Sequence, residues 1–203
     1  MTQTGRDHPQ PPANLGNREL QLETITTETV LFRIHQSIYS PIFFGQSLPH
    51  RFDAPKQYGI LYAGMTDHVA FLETMRGNAQ DGWIDRNNLA EQSISQLAIS
   101  RSLKLIRVSG SALERMGANS GIFSTKHRWI TQPWSLAFWQ HPIQADGIFY
   151  PSCHDNEKFC VALYSDRAKD VLSIQSTEEL LSPSFSDRLT KISNTYSYKI
   201  ANM

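Results

Sequence analysis

The sequence predicts an α+β fold in one domain: a mixed sheet with flanking helices. Two observations carry this. Strand-like and helix-like segments alternate without a regular βαβ rhythm, which argues against a doubly wound parallel sheet. The chain has 203 residues, 40% hydrophobic and 10% aromatic, enough for one full-size core.

The elements follow in order. Residues 1–25 are read as a flexible arm, because the first twenty, rich in Pro, Gln, Asn and Thr, contain no apolar run. TVLFRIH at 29–35 is β-branched and aromatic, hence a strand. Pro41, Gly45, Pro49, Pro55 and Gly59 mark 40–59 as a long loop, and long loops in compact domains are often functional. ILYAG at 60–64 reads as a short buried strand. Thr66 then caps the helical run DHVAFLETMR, which Gly77 stops. Residues 78–100 are polar and ambiguous. KLIRVS at 104–109 is a strand, and Ser111–Met116 is a short helix ended by Gly117. PWSLAFWQ at 133–140 reads as a helix with Pro133 in its first turn. GIFYPS at 147–152 and FCVALYS at 159–165 are paired strands around the turn HDNEK. Residues 176–193 are helical in parts and broken at Pro183, and TYSYKI at 195–200 is a last strand.

Composition excludes several functions. Nineteen basic residues balance nineteen acidic ones, so the net charge is 19 − 19 = 0. That does not suit a protein gripping nucleic acid through phosphates, and direct nucleic-acid binding is not expected. No segment approaches the ~18 consecutive apolar residues of a membrane span, and no signal-peptide core is present. Two cysteines, Cys153 and Cys160, without an export signal fit free thiols in the cytoplasm. They have no zinc-ligand spacing, and the seven histidines have no HExxH pattern, so no metal is expected. Rossmann and P-loop glycine patterns are missing. Ser152, His154 and Asp155 are too close in sequence to form a nucleophilic triad, and no GxSxG elbow is present.

Three residues stand out. Glu73 lies inside VAFLETM, sharing a helix face with Val69 and Ala70 and flanked by Leu72 and Met75. It is either an exposed rim carboxylate or one placed on an apolar stripe for use. Arg33 sits mid-strand in VLFRI. It either faces solvent, opposite Phe32 and Ile34, or meets an anion. Ser152 ends a strand, where a hydroxyl can hydrogen-bond a ligand. Arg51, in HRFDAP, is an ordinary loop cation by its sequence context.

Taken together these residues resemble the RES-domain family. The pattern comprises Arg33 in LFRIH, Arg51 in HRFDAP, then Tyr62 and Glu73 in ILYAGMTDHVAFLETM. It closes with Ser152 in DGIFYPS, followed by FCVALY. The match spans roughly residues 29–165. Ile34 and Cys153 replace a tyrosine and an arginine frequent in the family, which leaves the core from Arg33 to Glu73 intact. The resemblance implies an ADP-ribosyltransferase-like fold over 26–203 and an NAD-consuming toxin of a RES–Xre toxin–antitoxin pair. NAD would be the substrate, cleaved by hydrolysis or phosphorolysis. A protein ADP-ribosyltransferase and a catalytically inactive partner-binding module remain alternatives. It implies Glu73 and Arg33 as catalytic, with Arg33, Arg51, Tyr62 and Ser152 binding NAD. It also implies an Xre-type helix-turn-helix antitoxin as partner, and a homodimer is possible.

Overall fold

The computed structural model describes residues 8–47, 50–54 and 56–201. The strands are β1 (Leu22–Ile25), β2 (Leu31–Gln36), β3 (Ile60–Gly64), β4 (Ala79–Gln80), β5 (Trp83–Asp85), β6 (Gln92–Ile99) and β7 (Leu103–Arg107). Then come β8 (Gly147–Pro151), β9 (Phe159–Tyr164), β10 (Leu172–Glu179) and β11 (Lys199–Ala201). The helices are α1 (Asp67–Met75), α2 (Arg86–Ala90), α3 (Ser111–Met116), α4 (Gly121–Ser124), α5 (Arg128–Trp139), α6 (Ser165–Ala168) and α7 (Ser186–Thr195).

Eight strands form one mixed sheet in the order β1-β7-β8-β9-β3-β2-β6-β10, and β11, β5 and β4 form a smaller one. Only β7 and β8 run parallel in the large sheet. The sheet is narrowest in its pairing between β2 and β3, where Phe32 and Gly64 form the single matched pair. One face carries Ile106, Ile148, Tyr150, Cys160 and Ala162 against Trp134 and Phe138 of α5. The opposite face carries Leu31, Leu61, Leu97, Leu105 and Leu163. Around α1, Phe71 and Met75 pack with Ile34, Ile84, Leu89 and Phe185.

Local chemistry explains the elements nearest Glu73. The Thr66 hydroxyl accepts from the Val69 amide at 3.3 Å and starts α1. At Gly64 a Cβ would lie 2.7 Å from Val69 and 2.8 Å from the Ala70 nitrogen, so only glycine lets α1 turn back this tightly onto β3. A Cβ at Gly147 would lie 2.3 Å from the Ala162 carbonyl oxygen, so β8 and β9 need glycine there too. Asp146, just before it, takes two hydrogen bonds from Arg101, at 2.7 and 3.1 Å, and one from the Lys104 amide at 2.8 Å. The acidic start of DGIFYPS therefore pins β8 to β7.

Three expectations are corrected. The arm expected over 1–25 holds buried and paired residues. Leu15 and Leu20 are buried, β1 pairs with β7, and the Trp134 indole donates to the Pro9 carbonyl at 2.8 Å. Residues 1–7 lie outside the described residues. Helix α5 starts five residues before Pro133, which is interior. Proline cannot donate to the Trp129 carbonyl four residues back. The Gln10 side chain donates to that oxygen instead, at 3.4 Å. Residues 176–179, expected in a helical stretch, extend β10 as an edge strand against β6. The ambiguous stretch 78–100 resolves into β4, β5, α2 and β6.

Candidate active site

Glu73 leaves the exposed rim of α1, while Val69, Ala70, Leu72 and Met75 are buried. The carboxylate is nonetheless held. The Ser152 hydroxyl, fully buried at the end of β8, donates to Glu73 Oε1 at 2.5 Å. Ser152 Oγ in turn accepts from the His154 amide at 3.1 Å and the Asp155 amide at 3.3 Å. With both lone pairs occupied by backbone N–H groups, the hydroxyl proton is directed at the carboxylate. The Ser152 amide donates to the Lys158 carbonyl at 2.8 Å and closes the turn. The Ser152 hydroxyl is thus committed to Glu73 and to this turn.

The loop bearing Arg51 is fixed from three sides. Asp53, 2% exposed, accepts from the His50 amide at 3.0 Å and from the Tyr62 hydroxyl at 3.1 Å. The Tyr62 oxygen accepts from the Phe52 amide at 2.8 Å. Burial and the Asp53 charge push the Tyr62 phenol well above its usual pKa, so it stays a neutral donor. From α5, Thr131 donates to the Arg51 carbonyl at 2.5 Å and Gln132 to the His50 carbonyl at 3.1 Å. The Arg51 guanidinium donates to the Thr125 carbonyl at 2.7 Å. Tyr62 thus commits its hydroxyl to the loop and its ring to His50 and Phe52, with centroids at 5.6 and 6.5 Å.

Electrostatically, Glu73 and three cations act on one histidine. Burial lowers the His154 pKa, Glu73 raises it, and Arg76, Arg51 and Lys126 lower it again. These groups share one neighbourhood with the carboxylate. Burial raises the Cys153 thiol pKa, with the Glu73 charge as second cause. Cys153, His154, Arg76, Lys126 and Asp53 did not emerge from the sequence as site residues. The adjacent pair Cys153–His154 followed Ser152 in plain view, but nothing in sequence places Glu73, some eighty residues earlier, beside it.

Arg33 is not brought to this cluster. Register pairs Arg33 with Ser95 and Phe32 with Gly64, so Phe32 and Ile34 take the α1 side and Arg33 the other. Its guanidinium donates to the Phe43 carbonyl at 3.1 Å and makes no ion pair with a carboxylate among the described residues. Burial lowers its pKa to about 10, which still leaves it charged at neutral pH. It lines a groove of about 370 Å³ with His35, Tyr39 and Phe43.

One chain in the crystal structure of the M. tuberculosis MbcT–MbcA toxin–antitoxin complex superposes with a TM-score of 0.63 at 14% identity. The match covers 89% of this chain and 98% of that one, and establishes a shared fold. No curated protein matches by sequence. No helix among the described residues is long and apolar enough to cross a membrane. The RES domain family model matches residues 30–183, and the chain belongs to the RES-domain family.

Proposed function

We infer that the protein cleaves the nicotinamide–ribose bond of NAD and acts as the toxin of a toxin–antitoxin pair. One observation carries the chemistry. Glu73 is an exposed, solvent-reachable carboxylate fixed by a buried serine beside His154, a histidine on which Arg51, Arg76 and Lys126 also act.

Cleaving this bond passes through an oxocarbenium-like state, as in glycoside cleavage. Nicotinamide leaves from a cationic ring, so no strong general acid is required. A carboxylate that orients a ribose hydroxyl and faces the developing positive charge is the group such a reaction needs. Ser152 limits the rotation of Glu73, so the charge is in place before the bond stretches. The nearby cations suit the pyrophosphate, and Arg51 is the best positioned of them because its loop is rigid. The Tyr62 ring supports that loop. Arg33 lies across the sheet and serves this reading only as a binding cation, with guanidinium donors left for an anion beyond its one carbonyl partner. Family membership supports the toxin role, and so does the structural likeness to a chain from a toxin–antitoxin complex. An Xre-type antitoxin is the expected partner.

Incubating the purified protein with NAD, with and without phosphate, tests this. Free nicotinamide with ADP-ribose or its phosphate is expected, and Glu73→Ala removes both products. Nicotinamide release coupled to a labelled protein would move the assignment to ADP-ribosylation. Intact NAD after prolonged incubation would reject the reading. In cells, expression should deplete NAD as growth stops; arrest with level NAD contradicts the toxin mechanism.

A further inference from the structure

We propose that Glu73, Cys153 and His154 form a binding site for a soft divalent cation of the Zn2+ class. Occupation of that site would sequester the Glu73 carboxylate. The sequestering consequence rests on the reading of Glu73 as the reacting group; the binding itself does not.

One ligand atom from each residue lies within 4.8 Å of the other two. Zn2+ bonds of about 2.0–2.3 Å in a tetrahedron place ligand atoms about 3.3–3.7 Å apart. The set must therefore close by roughly 1 Å. Side-chain rotation can supply this, because Glu73 and Cys153 are both exposed. The backbone is already fixed. Ser152 Oγ accepts from the His154 and Asp155 amides, so the two neighbouring ligands project from one rigid turn. Ser152 also binds Oε1 of Glu73 and would be the outer-shell partner that orients a ligating carboxylate. Three protein ligands leave the fourth position open to water.

The donor set selects the ion. One sulfur, one imidazole nitrogen and one carboxylate oxygen suit Zn2+, whereas Mg2+ and Ca2+ take oxygen shells. Arg51, Arg76 and Lys126 surround the same spot and oppose any ion held by charge alone. Sulfur and nitrogen bonding can overcome that opposition. Proton release limits that opposition without removing it. As the S–metal bond forms, the Cys153 thiol releases its proton to solvent, while neutral imidazole and carboxylate release none. The ligand set passes from −1 to zero with the ion bound, so the surrounding cations lose one negative neighbour, a loss the sulfur and nitrogen bonds must offset.

The test uses the reduced, metal-free full chain, titrated separately with Zn2+ and with Co2+ as an optical reporter. One ion per chain is expected, with a thiolate-to-cobalt charge-transfer band and no response to Mg2+. Cys153→Ser removes the band, and Cys153→Ser and His154→Gln each weaken Zn2+ binding about tenfold or more. Absence of stoichiometric binding, or wild-type affinity in both variants, overturns the site. Nicotinamide release from NAD is the second readout. Zn2+ lowers the wild-type rate. The half-inhibitory concentration for Cys153→Ser, whatever its starting rate, rises about tenfold or more. Equal inhibition of both proteins overturns the sequestering consequence. A protein that binds Zn2+ but leaves NAD intact keeps the site and loses the proposed function. One that cleaves NAD and binds no ion does the reverse.

Discussion

At Glu73 and Ser152, burial and exposure divide the work of one short hydrogen bond. The carboxylate faces solvent, where a substrate can reach it, and the fully buried serine holds it there. Glu73→Gln keeps the shape and removes the charge. Its kcat for nicotinamide release should fall about 10²–10³-fold, the scale for losing one electrostatic stabiliser of a transition state. Ser152→Ala should fall less, because the charge remains but wanders. Arg33→Ala should act on KM rather than kcat, since its guanidinium stands on the sheet face away from α1. An equal loss of kcat in steady-state measurements would put Arg33 at the reacting bond after all. Alternation in VLFRI already set Arg33 opposite Phe32 and Ile34. Family resemblance put Glu73 and Ser152 in one site, with Ser152 as a ligand-binding hydroxyl; its hydrogen bond to Glu73 was implied neither by the resemblance nor by any local pattern. Cys153, His154 and Asp53 were invisible as site members, because a long-range juxtaposition leaves no trace in local spacing.

Helix α1 and strand β3 were legible to within a residue. Thr66 is a capping residue, the apolar run has the right length, and Gly64 sits where the chain must turn. Elements without such punctuation were misread. The polar N-terminal segment carries too few apolar residues to look folded, yet Leu15 and Leu20 are 3% and 4% exposed. Leu20→Ala should therefore cost about 2–5 kcal/mol in denaturant unfolding, as for other buried leucines. A change near zero would restore the flexible arm. Pro133 looked like a helix start because proline favours the first turn. Helix α5 nevertheless continues through it, with Trp134 packed on Phe138 one turn later and its indole donating to the Pro9 carbonyl. The C-terminal elements also reach the site. Tyr196, just beyond α7, donates to Asp155 Oδ2 at 3.0 Å and so braces the turn that follows Ser152. Tyr196→Phe should lower kcat modestly without unfolding the chain, measurable as reduced turnover at an unchanged melting temperature.

Across the whole molecule the charges cancel, and electrostatics acts through placement rather than total. Arg51, Arg76 and Lys126 act with Glu73 on His154, and Arg33 donates to the Phe43 carbonyl on the other face of the sheet. Two histidines link this arrangement to pH. Burial lowers the pKa of His35, against a partial rise from the Gln36 carbonyl, and burial likewise lowers that of His154. The unfolded chain then takes up protons near pH 6.5, where the folded chain resists them. Their contribution to stability is full above that pH and is lost as pH falls through the depressed folded values. Melting temperature should drop between about pH 7.5 and pH 5.5, and His35→Gln should show a smaller drop. A variant that melts in parallel with wild type across that range would remove His35 from the linkage. The mixed sheet could be anticipated from the order of its strands. The weak β2–β3 seam, and the way a turn after β8 meets a helix after β3, could not. The most direct measurement is nicotinamide release from NAD by purified wild-type protein beside Glu73→Gln. Steady release by the first and near-complete loss in the second, at equal folding, are expected. Equal release by both, or none by either, would contradict the proposed reaction.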